Sequence, residues 1–564
     1  MVLKFFRLGA SSAANSTPSS TSPAGLHASW LLVMASAWMA TLGNVALWQQ
    51  LWRLPELANG RGLAFGVCFA VALTLLLVAL LSLLAWRWTL KPVLTLFLIS
   101  AAAGAYFMMA YGIVIDSTMM VNVLQTDPRE TRDLLNWRLF AAIGVLGVLP
   151  AIWLWRTPVR RLSAGGQALA NAVTFIASVA LLSGTLMAMF QDFSSVMRNH
   201  TQVRYLINPL NSFYALGAVA AKPFQRDNTR ILPIGEDARL TAPSPAGAGK
   251  PPLLVLVLGE TARMGNLGIN GYARPTTPGL AKENIVSLRN AWSCGTNTAA
   301  SVPCMFSHLP RSEFEDRKVN YESLLDVLQR AGLAVLWINN QSGCKGVCDR
   351  TPHVTTATLQ VPGLCASGEC FDEIMLKDLD ARIADLPAER RTKGVVVVMH
   401  QMGSHGPAYY KRTPKAFKKF LPECTSNALQ ECGREQVVNA YDNTILYTDH
   451  FLTSTVQWLK TAEKKSATAM IYLSDHGESL GENNLYLHGL PYRIAPDVQK
   501  NVPWITWLSP TFERYSGVTT ACLKKKPDDR VSHDNYFHSV LGILGVQTSV
   551  YQKPLDIYAS CRSS

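Results

Sequence analysis

Apolar positions divide the chain into two unlike halves. Before residue 192 they form five runs at Ser29–Trp48, Leu63–Trp86, Val93–Ile115, Leu139–Trp155 and Ala168–Phe190. A bilayer crossing takes about 17–25 such residues, so each run predicts a transmembrane helix. The fourth is the shortest and contains Pro150. Residues 192–224 are moderately apolar, with aromatic groups beside basic ones, and predict an interfacial helix. Residues 225–250 mix Pro, Gly, Ala and charge without period and read as a linker. From residue 251 short apolar strands alternate with helical stretches. The strands are Leu253–Leu258, Ala334–Ile338, Val395–Met399, Ala469–Leu473 and Trp504–Leu508. Tyr321–Ala331 and Tyr441–Lys460 carry apolar residues at three- and four-residue intervals. This alternation predicts an α/β domain whose mainly parallel sheet lies between layers of helices. The expected organisation is therefore a tail at 1–28, a five-helix membrane domain at 29–191, an interfacial helix and linker at 192–250, and a soluble domain at 251–564.

Composition sharpens this division. The chain has 564 residues, 49% of them hydrophobic, and a formal net charge of +13. A basic chain invites a nucleic-acid reading, but no RNA- or DNA-binding signature is present. Several membrane spans make topology and anionic head groups the better use of that charge. Residues 1–26 form a polar Ser/Ala/Pro-rich tail without a cleavable signal. Short segments on one side of the spans carry Lys4, Arg7, Arg87, Lys91, Arg156, Arg160 and Arg161 and no acid. The opposite loops mix Arg53, Arg61, Arg129, Arg132 and Arg138 with five carboxylates. The positive-inside rule thus puts the N-terminus in the cytoplasm and, after five crossings, the C-terminal domain outside.

Cysteine usage agrees. Only Cys68 lies in a span; the others form sequence-local pairs. Cys294 pairs with Cys304, Cys344 with Cys348, Cys365 with Cys370, Cys424 with Cys432, and, more widely spaced, Cys522 with Cys561. An even set in an exported domain reads as disulfides. The Cys344-x3-Cys348 pair also resembles half of a structural zinc site, a reading the oxidising surroundings disfavour.

The candidate chemistry lies just after the strands. Gly259-Glu260-Thr261 ends the first, Asn339 to Lys345 the second, His400 to His405 the third and Ser474-Asp475-His476-Gly477 the fourth. Ligands of open α/β sheets bind beyond the carboxyl ends of the strands, so these residues converge on one rim. Asp475 and His476 supply ligands suited to zinc. Asp449-His450 is the same dipeptide inside a predicted helix and reads as chance. Glu260 is a helix cap or a metal ligand, and its convergence with Asp475 and His476 favours the ligand. Thr298, between Cys294 and Cys304, reads as a nucleophile that a metal would activate. A helix N-cap is its default role, and both can hold together. His405 and His488 sit in Gly-containing loops beside the rim. Phosphoryl binding or proton transfer ranks first for them and a second zinc next.

GETAR, CGTNTAASVPCMF, NNQSGCKGVCDR, HQMGSHGPAY, SDHGESLGE, LHGLPY and SHDNYFHSVLG together resemble the phosphoethanolamine transferases, most closely the lipid A enzymes that include the mobile colistin-resistance type. The resemblance spans nearly the whole chain. It implies an alkaline-phosphatase-like fold, zinc held by Glu260, Thr298, Asp475 and His476, and Thr298 as the nucleophile. The donor would be phosphatidylethanolamine and the acceptor a lipid A phosphate, in the bacterial inner membrane with the catalytic domain periplasmic, giving resistance to polymyxins such as colistin. A monomer is expected. Ser342, Lys345, His405 and His488 match positions that contact the donor head group or its phosphate. In VNVLQTDPRETRD, Asn122, Thr126 and Glu130 match a substrate-binding stretch. Their spacing would put them on one helical face, but Pro128 more readily starts a new helix, with Asp127 capping it and Glu130 closing a capping box.

Four alternatives are weighed. A sulfatase needs C-x-P-x-R around its modified cysteine, a context neither Cys294 nor Cys304 has. A lipoteichoic acid synthase shares five spans and a threonine nucleophile but is not built on disulfides. An acceptor other than lipid A, such as a core sugar, stays open. A non-catalytic scaffold is disfavoured by the intact set Glu260, Thr298, Asp475 and His476.

Overall fold

The computed structural model describes residues 25–54, 57, 60–126, 128–225, 227–241, 249–366 and 368–562. Most of the predicted tail and part of the linker lie outside them. Among the described residues five helices are long and apolar enough to cross a membrane: α1 (Ala28–Trp52), α2 (Gly60–Ser82), α3 (Leu90–Tyr111), α6 (Trp137–Arg156) and α7 (Ala164–Ala188). Two short helices, α4 (Ser117–Gln125) and α5 (Pro128–Leu134), occupy the connection after α3. Pro150 does not break α6. A π-helical segment, Gly144–Val148, precedes it, and the Leu146 carbonyl that its missing N–H leaves free accepts Trp38 Nε1 at 2.9 Å.

The interfacial stretch is not one helix. It divides into α8 (Phe190–Asn199), a turn of helix at Thr201–Tyr205, and α9 (Leu210–Gln225). Pro209 accounts for the second break, because the residue before a proline is pushed out of the helical region.

The C-terminal domain is built on an eight-stranded sheet. Its strands are β1 (Pro252–Gly259), β2 (Ile285–Trp292), β3 (Ala334–Asn339), β4 (His353–Thr355), β5 (Val395–His400), β6 (Ala467–Ser474), β7 (Asn501–Leu508) and β8 (Val531–Ser532), in the order β8-β2-β7-β6-β1-β5-β3-β4. All five predicted strands are present. β6, β1, β5, β3 and β4 run parallel, whereas β7 runs antiparallel to both β6 and β2. The segment from β6 to β7 contains turns, two short strands and two single-turn 3-10 helices but no α-helix, so no crossover helix carries the chain back to the parallel start. Every residue of β1, β3, β5 and β6 is buried, and apolar clusters fill both faces of the sheet. The parallel register places Gly259 beside Ser474, Leu258 beside His400, and His400 beside Asn339. Four strands therefore end level, and the chemistry that follows each is delivered to one place.

All five expected disulfides form. Cys294 is bonded to Cys304 and Cys344 to Cys348, so the latter pair is not a zinc half-site. Cys365 is bonded to Cys370 across a two-residue hairpin pairing, and Cys424 to Cys432 just before the long helix Arg434–Ala462. Cys522 is bonded to Cys561, which ties the chain's C-terminal end to the segment after β7. Cys68, in α2, is the one free cysteine among the described residues. Asp449 and His450 also behave as expected of a chance pair. They lie on the helix Arg434–Ala462, where Asp449 accepts the Gly279 and Leu280 N–H groups and His450 pairs with Glu373 at 2.9 Å.

The membrane half meets the C-terminal domain through polar contacts. Asp133 of α5, nearly buried at 5% exposure, receives Lys411 and Arg412. The Asn427 amide donates to the Asp133 carbonyl at 2.7 Å, Tyr111 donates to the Asn427 carbonyl, and Arg138 pairs with Glu431 at 2.7 Å.

Candidate active site

The rim after β1 begins with a buried Glu260 and then Thr261, whose φ of 61° is unusual for a β-branched residue. Two bonds hold that turn: the Thr261 N–H donates to Asp475 Oδ1 at 3.1 Å, and its hydroxyl donates to Glu260 Oε1 at 2.7 Å. Gly403 crosses the back of the same turn with φ 53°, and a Cβ there would lie 2.7 Å from the Glu260 carbonyl oxygen. Only glycine fits that crossing.

Thr298 enters from the other side, on the helix α10 (Thr298–Met305). The cap of this helix is Asn297, whose Oδ1 accepts the Ala300 N–H at 2.9 Å. Thr298 is thus the first helical residue and its hydroxyl is not used as a cap. Its Oγ1 lies 3.2 Å from each Glu260 carboxylate oxygen and 3.5 Å from His476 Nε2. His476 Nε2 is 3.3 Å from Glu260 Oε1 and 3.4 Å from Asp475 Oδ2. Three elements distant in sequence therefore place two carboxylates, an imidazole and a hydroxyl around one point.

The donor set fits a divalent cation. Glu260, Asp475 and His476 each offer a ligand atom, all within 4.8 Å of one another. The Asp475 Oδ2 atom is buried and has no hydrogen-bond partner. His476 Nδ1 bonds the Gly477 carbonyl at 2.9 Å, so the proton sits there and Nε2 faces the cluster. Burial raises Asp475, and the nearby Glu260 charge adds to this, bringing it to about 7. Burial alone would depress His476, but the Asp475 and Glu260 carboxylates push it up to about 10. Both shifts say that the pair of buried acids requires a positive charge between them, which a metal ion supplies as well as a proton does.

No cysteine competes for that role. Cys294 and Cys304 bracket the Thr298 loop, and Cys344, Cys348, Cys365, Cys370, Cys424, Cys432, Cys522 and Cys561 are likewise oxidised. A disulfide sulfur offers no thiolate to a metal, so these residues are staples of the domain and not ligands.

Around this centre, Gln341 donates to Glu260 Oε2 at 3.1 Å. His488 lies against His476, ring centroids 4.3 Å apart, and bonds Glu478 through Nδ1 at 3.3 Å. His405 faces His488 at 5.7 Å. Among the described residues these two histidines gather no further group of three ligands. Lys345 Nζ reaches the Ser342 hydroxyl and carbonyl at 3.2 Å each, and the Gln125 carbonyl of α4 at 3.5 Å. Asn122, Thr126 and Glu130 do not share a helix: α4 ends at Gln125 and a new helix starts at Pro128. Thr126 Oγ1 donates to the Asn122 carbonyl. Asp127 and the Glu130 side chain lie outside the described residues.

Family profiles match the chain in two places: "Phosphoethanolamine transferase EptA/EptB" over residues 73–224 and "Sulfatase" over residues 252–546. The EptA phosphoethanolamine transferase of Salmonella typhimurium is 39% identical over 539 residues, covering 94% of this chain and 96% of that protein. The Escherichia coli phosphatidylethanolamine transferase Mcr-1 is 36% identical over 527 residues, covering 92% and 94%. The solved structure of the lipooligosaccharide phosphoethanolamine transferase EptA from Neisseria meningitidis superposes with a TM-score of 0.89 at 36% identity, covering 96% of this chain and 100% of that one. The chain is a phosphoethanolamine transferase of the EptA family.

Several residues that shape the transferase's site escaped the sequence reading. Asp372, fully buried, accepts the Met402 and Gly403 N–H groups at 2.8 and 3.0 Å and so shapes the loop that carries His405. Arg412 donates to the His405 carbonyl at 3.2 Å while also holding Asp133. His533 is buried between two parts of the site: its Nδ1 accepts the Cys294 N–H at 3.1 Å and its Nε2 donates to the Ser474 carbonyl at 3.0 Å. It ties the loop that leads to Thr298 to the end of β6. No periodicity or spacing marks it; only its presence in the SHDNYFHSVLG segment could have drawn attention.

Burial lowers the His533 imidazole to about 3, against 6.5 when free. A depressed histidine contributes stability that is present above the unfolded value and lost as pH falls. The transferase should therefore lose about 2 kcal/mol of stability between pH 6.5 and 5 through this one group. Urea titrations of the full-length protein at several pH values should show that slope, and H533Q should lack it.

Proposed function

We propose that this enzyme transfers phosphoethanolamine from phosphatidylethanolamine to a lipid A phosphate through a phosphothreonine at Thr298. The observation that carries this reading is the buried Thr298 hydroxyl, 3.2 Å from Glu260 and 3.5 Å from His476, at the mouth of the cation-fitting cluster. Zinc, held by Glu260, Asp475, His476 and Thr298, would supply positive charge that acidifies the hydroxyl and withdraws charge from the phosphoryl oxygens. The Thr298 hydroxyl releases its proton to solvent, and its oxygen forms a bond to phosphorus as the bond to the diacylglycerol oxygen breaks. The Glu260 carboxylate, which accepts the Thr298 hydroxyl's hydrogen bond, orients the oxygen for attack. His488, oriented by Glu478, gives the leaving diacylglycerol oxygen its proton. In the second half, an acceptor phosphate oxygen attacks the phosphothreonine, the Thr298 oxygen–phosphorus bond breaks, and the threonine oxygen takes up a proton from the acceptor phosphate or solvent to restore the hydroxyl. Ser342, Lys345 and His405 hold the phosphoryl group, and Asn122, Thr126 and Glu130 meet the donor from the membrane side.

The assignment of donor and acceptor rests on the relatives' own substrates: a phosphatidylethanolamine transferase and a lipooligosaccharide-modifying enzyme are both more than one-third identical to this chain. Charge asymmetry of the loops supports a cytoplasmic N-terminus and, from residue 251, a periplasmic catalytic domain in the inner membrane. Mass spectrometry of lipid A from Gram-negative cells expressing the chain is expected to show one added phosphoethanolamine, with protection against polymyxins, because the new ammonium offsets phosphate charge. Unmodified lipid A beside a modified core sugar would assign the other acceptor.

A further inference from the structure

The loop that carries His488 belongs to the catalytic domain, yet the membrane half packs it. Leu490 and Ala495, each 5% exposed, lie in the apolar cluster that the membrane helices build around Leu94 and Met108 of α3, and Leu485 packs against that cluster. Leu485 also rests on Gly112, the residue that ends α3, where a Cβ would lie 2.8 Å from Leu485 Cδ2. Burying these side chains against the anchor holds the loop to it, because separation would return their apolar surface to water.

The contact nearest the chemistry is Met119 of α4. It sits in the first turn of that helix, where its N–H donates to Asp116 Oδ1 at 2.9 Å, and it is 6% exposed. Its methyl group fills the space over Gly489, the residue directly after His488. A Cβ on Gly489 would collide with Met119 Cε and lie 3.3 Å from the sulfur. Gly489 also has a φ of 90°, so glycine is needed on both counts. The residue before His488 is held within the domain. Leu487 has a φ of 63°, uncommon for leucine. Gln499 Nε2 donates to its carbonyl at 3.1 Å, and Gln499 Oε1 accepts the Leu490 N–H at 3.3 Å. Leu487 Cδ2 in turn covers Gly406, beside His405, where a Cβ would lie 2.6 Å from it. His488 is thus fixed through both neighbours, Leu487 by Gln499 and Gly489 by Met119 of the membrane half.

A group that gives a proton must lie within hydrogen-bond reach of the oxygen that takes it, and a misplacement of about 1 Å can cost about 100-fold in rate. The bond from Nδ1 to Glu478 orients the His488 ring; the backbone beneath the ring is placed by the Met119 contact. We propose that Met119 is a positioning residue for the transfer: its thioether, pressed on Gly489, sets the His488 imidazole at the leaving diacylglycerol oxygen when the catalytic domain is seated on the membrane half. The imidazole gives that oxygen the proton on Nε2, the nitrogen turned away from Glu478, and regains one from solvent. The inference deepens the proposed function and rests on the proton transfer by His488.

The test gives the full-length enzyme, in detergent micelles, two donors. Phosphatidylethanolamine expels an alkoxide, which needs a proton; p-nitrophenyl phosphoethanolamine expels a phenolate, which leaves as the anion. M119A is expected to lower kcat for phosphatidylethanolamine about tenfold or more. Its KM for that donor, and its rate of nitrophenolate release, should stay within about twofold of the wild type's. M119L restores most of the lost volume and should recover most of the loss. L485A, at the neighbouring contact, should show the same split and stands in if M119A fails to fold. H488A is the reference, with phosphatidylethanolamine turnover down about 100-fold or more and nitrophenolate release close to the wild type's. Equal losses with both donors in M119A would make the contact a structural one, and a raised KM at unchanged kcat would put Met119 in the donor's binding site. Either result overturns the inference, as would wild-type rates in whichever of M119A and L485A folds. Failure of the underlying reading looks different: H488A itself would lose both donors alike.

Discussion

Thr298→Ala should reduce phosphoethanolamine transfer by at least about 10³-fold, because a covalent route has no substitute for its nucleophile. The fold should survive. Asn297 caps α10, so the Thr298 hydroxyl bonds only the Glu260–His476 cluster and no helix end depends on it. Diacylglycerol release should fall with transfer, since the first half-reaction is the one removed. Thr298→Ser keeps a hydroxyl at the same position and should retain measurable turnover. Intact-protein mass spectrometry offers a second readout: incubation with donor alone should add one phosphoethanolamine to the wild type and to T298S, and none to T298A. Full activity in T298A would remove the covalent route and leave the cluster as a binding site.

Glu260→Gln should have an effect of similar size through a different cause. Glutamine keeps the length of the side chain and removes its charge. Its amide would also set a donor against the Thr298 hydroxyl and His476 Nε2, 3.2 and 3.3 Å from the present oxygens. Zinc affinity should fall by more than the roughly 10–100-fold that outer-shell changes cost, and turnover should fall with it. Added zinc should raise the melting temperature of chelator-stripped wild type, since ligands that bind only the folded state stabilise it, and should leave that of E260Q nearly unmoved. Equal zinc content in the two proteins would show that Glu260 is not a ligand.

These four residues were legible because each sits where an apolar run stops abruptly or a loop is pinned. LVLVLGE and IYLSDH mark strands that end in acids and a histidine, and parallel strands in register must end together. Thr298 lay within a short cysteine-bounded loop, which restricted where its hydroxyl could go. The disulfide pairs were equally plain, because Cys424 and Cys432, like three other pairs, are close neighbours in the chain, and Cys522 and Cys561 were then the two left over. β2 was missed because Ser287, Arg289 and Asn290 dilute its apolar pattern and alternate residues are only half-buried. The antiparallel turn of β7 follows from the lack of a helix before it, a negative sign that is easily overlooked. Asp372, Arg412 and His533 act through partners far along the chain, with no shared period to connect them. Glu130 shows the limit of a matched motif: Pro128 breaks the helix that its spacing with Asn122 and Thr126 would require.

Asp133 links anchorage to chemistry. Its carboxylate belongs to the membrane half, yet it binds Arg412, whose guanidinium also grips the His405 backbone and is only 2% exposed. A fragment cut free of its anchor would leave that cation with Glu369, 2.5 Å away, as its remaining carboxylate partner, and without the one that ties it to the membrane half. The anchor thus braces the loop that carries His405 as well as tethering the domain.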